Sequence, residues 1–195
     1  MSSKIRIILQ ARCGSKRFPY KSIYPIHNIP LAILCAKRLN KNNKYDLILA
    51  VSDNSKDKYL IALAKKFKIK YFVGDEKNVL QRFLDATKSL QDNDIIIRAT
   101  ADNPLADSNF LKKTLKIFKA KKLDYFYTDY KYFGLPYGLN LEILYVNLLR
   151  AQKFTKQNKE HVFFSLKKKL NLNKIKEKLI TQDLSHLNFS IDYVE

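Results

Sequence analysis

Residues 5–22 read IRIILQARCGSKRFPYKS, an Ile-rich apolar run that ends abruptly in a cationic loop. The apolar run predicts a buried strand over residues 4–11, since such strands are short and rich in β-branched side chains. The loop that follows holds a Gly-Ser pair, a proline and four cations. A change of this kind from core strand to polar loop is typical of ligand-binding loops in α/β sheets.

The chemistry of this loop favours phosphate binding. A turn at Gly14 and Ser15 lets backbone N–H groups converge on an anion, and a proline stiffens the loop. The positive charge comes from Arg12, Lys16, Arg17 and Lys21. Arginine can also bind two oxygen atoms at once. The spacing matches neither the Walker phosphate loop nor the dinucleotide fingerprint. A solvent-exposed basic loop without a ligand is the alternative interpretation.

Strand-like and helix-like segments alternate along the chain. The pattern predicts strands at 4–11, 45–54, 70–74, 94–100 and 124–128, and helices at 30–39, 55–69, 78–90 and 108–122. Such alternation implies right-handed crossovers and a mostly parallel sheet with helices on both faces. We therefore predict an α/β fold, a single three-layer domain over residues 1–195. The less regular remainder predicts a strand at 139–144, two helices and a final short strand at 189–193.

The composition is that of a globular protein, with 46% hydrophobic and 28% charged residues among 195. The longest apolar runs fall far short of the roughly 20 residues that span a bilayer, so we predict no membrane span. Two cysteines make no disulfide framework, and the N-terminus lacks a signal-peptide pattern. These features favour a cytoplasmic location.

The formal net charge of +19 raises the question of a nucleic-acid partner, whose phosphates bind clustered cations. Here the lysines are spread along the whole chain, and no nucleic-acid fold signature is present. We therefore expect no nucleic-acid partner, and the charge is compatible with a small phosphorylated ligand. A basic nucleic-acid-binding module stays as an alternative, because the Tyr-rich stretch 125–137 could stack on bases.

Polar segments follow each of the first four predicted strands, where ligands bind in α/β sheets. They are the loop already described and the segments SDN (52–54), GDEKN (74–78) and ATADNP (99–104). Every one carries ionisable or hydroxyl groups. Because the carboxyl ends of parallel strands share one edge of the sheet, this pattern predicts a polar ligand site there.

Motifs along nearly the whole chain resemble one enzyme family. They are A-R-x-G-S-x-R-x-P-x-K at 11–21, VSDNSKD at 51–57, RATADNPL at 98–105 and LSHLNFSIDYVE at 184–195. In this order they resemble the cytidylyltransferases that activate sugars and sugar acids. The spore-coat polysaccharide branch is most similar, and the CMP-Kdo and CMP-sialic acid synthetases are more distant. The resemblance implies a Rossmann-like domain of the nucleotide-diphospho-sugar transferase type. It also implies transfer of CMP from CTP to an acceptor, with release of pyrophosphate.

The resemblance further implies roles for single residues. Asp102 and Asp192 match the family's ligands for Mg²⁺, which prefers carboxylate oxygens. Arg12, Lys21 and Asp102 are the implied catalytic residues, acting by positioning and charge neutralisation. The implied nucleotide contacts are Ala11, Arg12, Gly14, Ser15, Arg17, Lys21, Ser52, Asp53, Asn54, Asn78 and Thr100.

The acceptor side is less defined. The implied acceptor contacts are Asn140, Glu142, Glu160 and His161. For Glu160 and His161, a Glu-His pair on a helix surface that contacts no acceptor is an equally good interpretation. A sugar, a sugar acid, or a sugar or polyol phosphate would each present an oxygen nucleophile, so these alternatives stay open. Related enzymes are often dimers, so a homodimer is expected.

Two other interpretations stay open. A glycosyltransferase of the same fold typically carries a D-x-D metal motif, and we expect none in this chain, since DNP and DYVE do not fit. A degenerate family member would bind nucleotide without turnover. Asn78 and Asn140 keep that interpretation open, because the family usually has acidic residues at both positions. Asn78 lies in a segment that resembles the base-reading loop, so CTP is implied by the family and not by the chemistry of this position.

Overall fold

Strands and helices alternate along the chain as the periodicity predicts. The computed structural model describes residues 3–160, 162–169, 172 and 175–192. The strands are β1 (Ile5–Gln10), β2 (Pro25–Ile26), β3 (Ile29–Pro30), β4 (Asp46–Ser52), β5 (Lys70–Gly74), β6 (Ile95–Thr100), β7 (Tyr125–Tyr127) and β8 (Glu142–Tyr145). The helices are α1 (Leu31–Leu39), α2 (Lys58–Lys66), α3 (Val79–Ala86), α4 (Ser108–Ala120), α5 (Tyr130–Phe133), α6 (Val146–Arg150), α7 (Lys156–Glu160) and α8 (Phe164–Lys169).

The central sheet has six strands in the order β5–β4–β1–β6–β8–β7. The pairs β4–β5, β1–β4 and β1–β6 are parallel, whereas β8 runs antiparallel to both of its neighbours. Gln10 at the end of β1 lies in register with Ala50 on one side and Thr100 on the other. The carboxyl ends of these strands therefore share one edge of the sheet.

Helices cover both faces of the sheet. Side chains of β1 alternate between the two faces, as the pleat of a strand requires. Ile7 and Leu9 pack against buried side chains of α1, α2 and α4. Ile8 packs on the opposite face, against side chains of α3 and α6. This arrangement confirms the predicted α/β fold with three layers and a mostly parallel sheet.

Side-chain caps fix the first residues of helices α3 and α4. Asp107 accepts hydrogen bonds from the backbone N–H groups of Asn109 and Phe110 at the start of α4. Asn78 accepts one from Gln81 at the start of α3. Such caps satisfy backbone donors that have no partner inside the helix. None of the helices in the described ranges is long and apolar enough to cross a membrane.

The C-terminal part departs from the sequence-based prediction. Three short helices, α6 to α8, replace the two expected, and no strand forms over the described residues 189–192. The predicted final strand is therefore wrong within that range. The backbone there bonds to loops instead of a sheet edge: Phe189 N–H donates to Tyr137 and Ile191 N–H donates to Asp102. These two bonds bring Asp192 beside the turn that follows β6.

Candidate active site

An open cleft of about 930 Å³ lies at the carboxyl ends of β1 and β6. Its walls come from the loop after β1, the turn after β6, the segment between β5 and α3, and helix α7. This is the edge of the sheet at which a ligand site was expected. The cleft brings together these residues predicted from the sequence: Ala11, Arg12, Gly14, Ser15, Arg17, Lys21, Thr100, Asp102 and Asp192.

The loop after β1 is held in shape by its own hydrogen bonds. The N–H of Tyr20 donates to the carbonyl oxygen of Cys13 at 3.0 Å. The N–H of Phe18 donates to the hydroxyl oxygen of Ser15 at 3.3 Å. The hydroxyl of Ser22 donates to the carbonyl oxygen of Arg12 at 2.8 Å. The loop, called the phosphate loop (residues 11–22) from here on, is thus ordered by local contacts.

A buried carboxylate ties the phosphate loop to the end of β4. Asp57 is 1% exposed and closes the short 3-10 helix Ser55–Asp57. One of its oxygens accepts the N–H of Cys13 at 2.6 Å. The other accepts both the N–H and the hydroxyl of Ser52, at 3.0 and 2.6 Å. Ser52 therefore lies behind the cleft, where its hydroxyl holds Asp57.

Lys21 joins the two carboxylates that the family resemblance implies as metal ligands. Its Nζ donates to Asp102 Oδ2 and to Asp192 Oδ1, each at 2.7 Å. The lysine side chain is only 9% exposed, so its charge is little screened by water. Arg17 also approaches Asp192, at 3.2 Å. Burial alone would raise the pKa of Asp192, but the hydrogen bond and charge of Lys21, with help from Ser190 and Arg17, bring that pKa below its ordinary value.

The carboxylate pair fits one mode of Mg²⁺ binding. Among the residues that the structure describes, no group of three or more His, Cys, Asp or Glu side chains is placed to hold a metal ion. Magnesium, however, usually takes one or two carboxylates from the protein and its other ligands from phosphates and water. Asp102 and Asp192, which both contact the ammonium group of Lys21 at the cleft wall, would supply that donor set.

Hydrogen bonds join the segments that follow β4 and β5. Asp53 accepts the N–H of Glu76 at 3.0 Å, and the amide of Asn54 donates to the Glu76 carboxylate at 2.9 Å. Asn78 caps α3 and does not line the cleft. Glu76 and Lys77 do line it. The structure thus places Asp53, Asn54 and Asn78 as supports for residues 76–77.

The predicted acceptor residues occupy different surroundings. Glu142 is 3% exposed and pairs with Arg98 and Lys167, each at 2.8 Å, so it lies under the cleft lining. Arg98 also donates to the Gln10 side chain and faces the cleft. Asn140 does not line the cleft either, and its buried side-chain oxygen has no hydrogen-bond partner among the described residues.

Of the remaining acceptor candidates, Glu160 is the last residue of α7 and His161 lies outside the described residues. The expectation that the chain holds no D-x-D triplet was wrong: Asp92–Asp94 form one before β6, at the opposite end of that strand from the cleft. There Asp94 accepts hydrogen bonds from the N–H groups of Lys4 and Gln91. The triplet therefore stabilises a turn away from the cleft. It gives no support to a glycosyltransferase activity.

Several cleft residues were missed by the sequence reasoning. Lys156 and Lys159 lie three positions apart on α7, so they share a helix face. Arg82 lies four positions after Asn78, on the same face of α3, and is 2% exposed. That spacing is the signal that could have found Arg82. The two lysines carried no comparable sequence signal, because lysines are common along the whole chain.

Comparison with known proteins agrees with this geometry. A cytidylyltransferase family model matches residues 6–194. The chain is 32% identical over 167 residues to the spore coat polysaccharide biosynthesis protein SpsF of Bacillus subtilis, across 81% of this chain and 68% of that protein. It is 27% identical over 120 residues to the 8-amino-3,8-dideoxy-manno-octulosonate cytidylyltransferase of Shewanella frigidimarina, across 60% of this chain and 48% of that protein.

A solved structure of a cytidylyltransferase from Leptospira borgpetersenii is similar over almost the entire chain. Its TM-score is 0.85 at 26% sequence identity, covering 98% of this chain and 82% of that one. The resemblance inferred from the sequence motifs is therefore confirmed, as is a nucleotidyltransferase-type fold. By its family match and its relatives, this chain belongs to the cytidylyltransferase family.

Proposed function

We propose that the cleft binds CTP and transfers its CMP group to a sugar-like acceptor, releasing pyrophosphate. One observation carries the proposal for this family member. Lys21 of the phosphate loop lies within hydrogen-bond distance of both Asp102 and Asp192. The cation expected to hold the triphosphate and the carboxylates expected to hold Mg²⁺ thus meet at one point of one cleft.

The reaction is a single displacement at the α-phosphorus. A hydroxyl oxygen of the acceptor forms the new P–O bond, and the bond to the bridging α–β oxygen breaks. Its electron pair leaves with pyrophosphate, and the acceptor's proton passes to water. Arg12 and Lys21 offset the charge that grows on the leaving group, because preorganised cations act strongly in a partly buried site. Mg²⁺, held by Asp102 and Asp192, would supply further charge neutralisation along the phosphates.

The acceptor that fits best carries an acidic group. Arg98, Lys156 and Lys159 line the cleft in addition to the cations of the phosphate loop. Two relatives bear names that refer to polysaccharide biosynthesis and to an octulosonate. We therefore place a sugar acid first among acceptors and surface polysaccharide or glycan biosynthesis as the setting. A cytoplasmic location, where CTP is available, and a homodimer stay predictions.

The proposal is tested by following the α-phosphate. Wild-type protein is incubated with α-³²P-labelled CTP, Mg²⁺ and single acceptors: sugar acids, sugar phosphates, polyol phosphates and neutral sugars. Label is expected in a CMP–acceptor product, with one pyrophosphate released for each product. Asp102→Asn should reduce the rate at least about 100-fold. Asp92→Asn, at the opposite end of β6, should not. Label that stays in CTP with every acceptor would speak for a degenerate nucleotide-binding protein.

A further inference from the structure

Arg82 is a buried cation at the cleft, and part of its guanidinium has no hydrogen-bond partner among the residues that the structure describes. The residue is 2% exposed and lines the cleft. Its Nε and Nη1 find no acceptor among the described residues. Other partly buried arginines of this chain are paired: Arg6 contacts Asp46 at 2.6 Å and Arg98 contacts Glu142 at 2.8 Å. Arg82 therefore differs from these two arginines.

The surroundings of Arg82 explain why Nε and Nη1 have no acceptor within the described part of the chain. Asp57 is the acidic residue with the strongest influence on its charge. Both oxygens of Asp57, however, already accept hydrogen bonds from Cys13 and Ser52. Arg12 of the phosphate loop adds a second positive charge near Arg82. Burial is the main reason that the pKa of Arg82 is lowered, and the charge of Arg12 lowers it further.

The backbone leaves room for this side chain. A Cβ placed on Gly74, the last residue of β5, would lie 2.9 Å from Cγ of Arg82. Glycine at this position therefore lets the arginine stem pass beside the sheet edge toward the cleft. Buried N–H donors without acceptors destabilise a fold, and native proteins keep few of them. A donor of this kind beside a ligand cleft points to an acceptor that arrives with the ligand.

We propose that Arg82 binds a phosphate group of the nucleotide, together with Arg12. This inference rests on the proposed function. Two guanidinium groups that approach one cleft repel each other until an anion lies between them, and arginine binds phosphate through paired N–H groups. Arg82 is thus a binding residue that lies outside the phosphate loop and completes its cationic wall from α3.

The test uses Arg82→Met, which keeps an apolar stem and removes the unpaired charge. Replacing an uncompensated buried charge by an apolar group stabilises a fold, so the unliganded variant should melt at or above the wild-type temperature. Its dissociation constant for CTP with Mg²⁺, measured by calorimetry, should rise about tenfold or more, as for the loss of a charged hydrogen bond. Arg82→Lys keeps the charge without the planar guanidinium group. Its dissociation constant for CTP should lie between those of the wild type and Arg82→Met.

The matched control is Arg6→Met, at the amino end of β1. That arginine is paired with Asp46, so its loss should lower the melting temperature and leave CTP binding within about twofold. Arg82→Met with a lowered melting temperature and wild-type CTP affinity would overturn the inference, because Arg82 would then be structural. A wild type that does not bind CTP would overturn the proposed function as well, so the two failures are distinguishable.

Two further ligands separate the phosphates from the base. Arg82→Met should bind inorganic pyrophosphate more weakly than the wild type does, to about the same degree as CTP. Cytidine at millimolar concentration should bind this variant as it binds the wild type. The reverse pattern, with cytidine binding lost and pyrophosphate binding kept, would contradict the phosphate assignment and indicate a contact with the base.

Discussion

Asp57 accepts a 2.6 Å hydrogen bond from the backbone N–H of Cys13, which fixes the phosphate loop to the end of β4. The two residues lie 44 positions apart in the chain. The contact places a buried carboxylate directly behind the loop that is proposed to hold the triphosphate. The position of the loop therefore depends on a residue that does not line the cleft.

Asp57→Asn should disturb both stability and nucleotide binding. Both carboxylate oxygens accept N–H groups, so an amide must turn its own NH₂ toward the N–H of either Cys13 or Ser52. We expect a loss of about 2 to 4 kcal/mol in the free energy of unfolding, measured in urea. The dissociation constant for CTP should rise as well. Asp53→Asn is the control, since its remaining oxygen can still accept the N–H of Glu76. Equal behaviour of the two variants would contradict the anchoring role.

Stability should depend on the ionisation of Asp192 in acid. Its folded-state pKa is lowered, so its contribution to stability is complete above the ordinary carboxyl pKa of 3.8. That contribution is lost as the pH falls below about 4, because the unfolded chain takes up the proton first. Asp192→Asn should therefore be less stable than the wild type at pH 6, and the difference should shrink toward pH 3.5. Urea unfolding at several pH values measures it, and a difference that grows in acid would contradict the prediction.

Glu142 tests whether a residue implied as an acceptor contact is instead structural. Glu142→Gln leaves the charges of Arg98 and Lys167 without their buried counterion. We expect unfolding to become easier by about 3 kcal/mol, as for other broken buried pairs. Glu177→Gln, in an exposed pair with Lys121, should unfold at the wild-type urea concentration. Unchanged stability of Glu142→Gln with a raised KM for the acceptor would restore the direct acceptor contact.

Cys13 should be inert although it lies in the phosphate loop. Burial, followed by the charge of Asp57 and a hydrogen bond to it, raises the pKa of the Cys13 thiol to about 12. At pH 8 only about one thiol in 10,000 is then ionised, and the thiolate is the reactive form. Native protein should resist a disulfide-exchange reagent over hours and react fully in urea. Rapid modification of Cys13 in the native protein would contradict this packing role.

The parts of the fold that follow from local patterns could be predicted from the sequence. The Ile-rich run of β1 and the regular spacing of the later strands predicted the parallel sheet. The rule that ligands bind at strand carboxyl ends, joined with the family motifs, predicted that Lys21 and Asp102 share a cleft. The C-terminal segment was misjudged, because its apolar alternation gave no sign that its backbone bonds to loops at Asp102 and Tyr137.

The supports of the site could not be predicted in the same way. Asp57 and Arg82 act through contacts that only the folded chain brings together, although the helical spacing of Arg82 from Asn78 was a signal for that residue. Asp53, Asn54 and Asn78 stay predicted nucleotide contacts by resemblance, and the hydrogen bonds by which they hold a loop and a helix start were not foreseen. Local sequence shows which loops meet at a sheet edge. It does not show which side chains of those loops face the ligand.

The central claim is tested most directly by binding of the four nucleoside triphosphates, with and without Mg²⁺, to the wild type and to Asp102→Ala. This measurement needs no knowledge of the acceptor. A ligand present at about 100 times its dissociation constant stabilises the native state by roughly 2.7 kcal/mol, a clear shift in melting temperature. We predict that CTP raises the melting temperature more than ATP, GTP or UTP does. This increase should require Mg²⁺ and be lost in Asp102→Ala. Absence of a shift with every nucleotide would contradict the account.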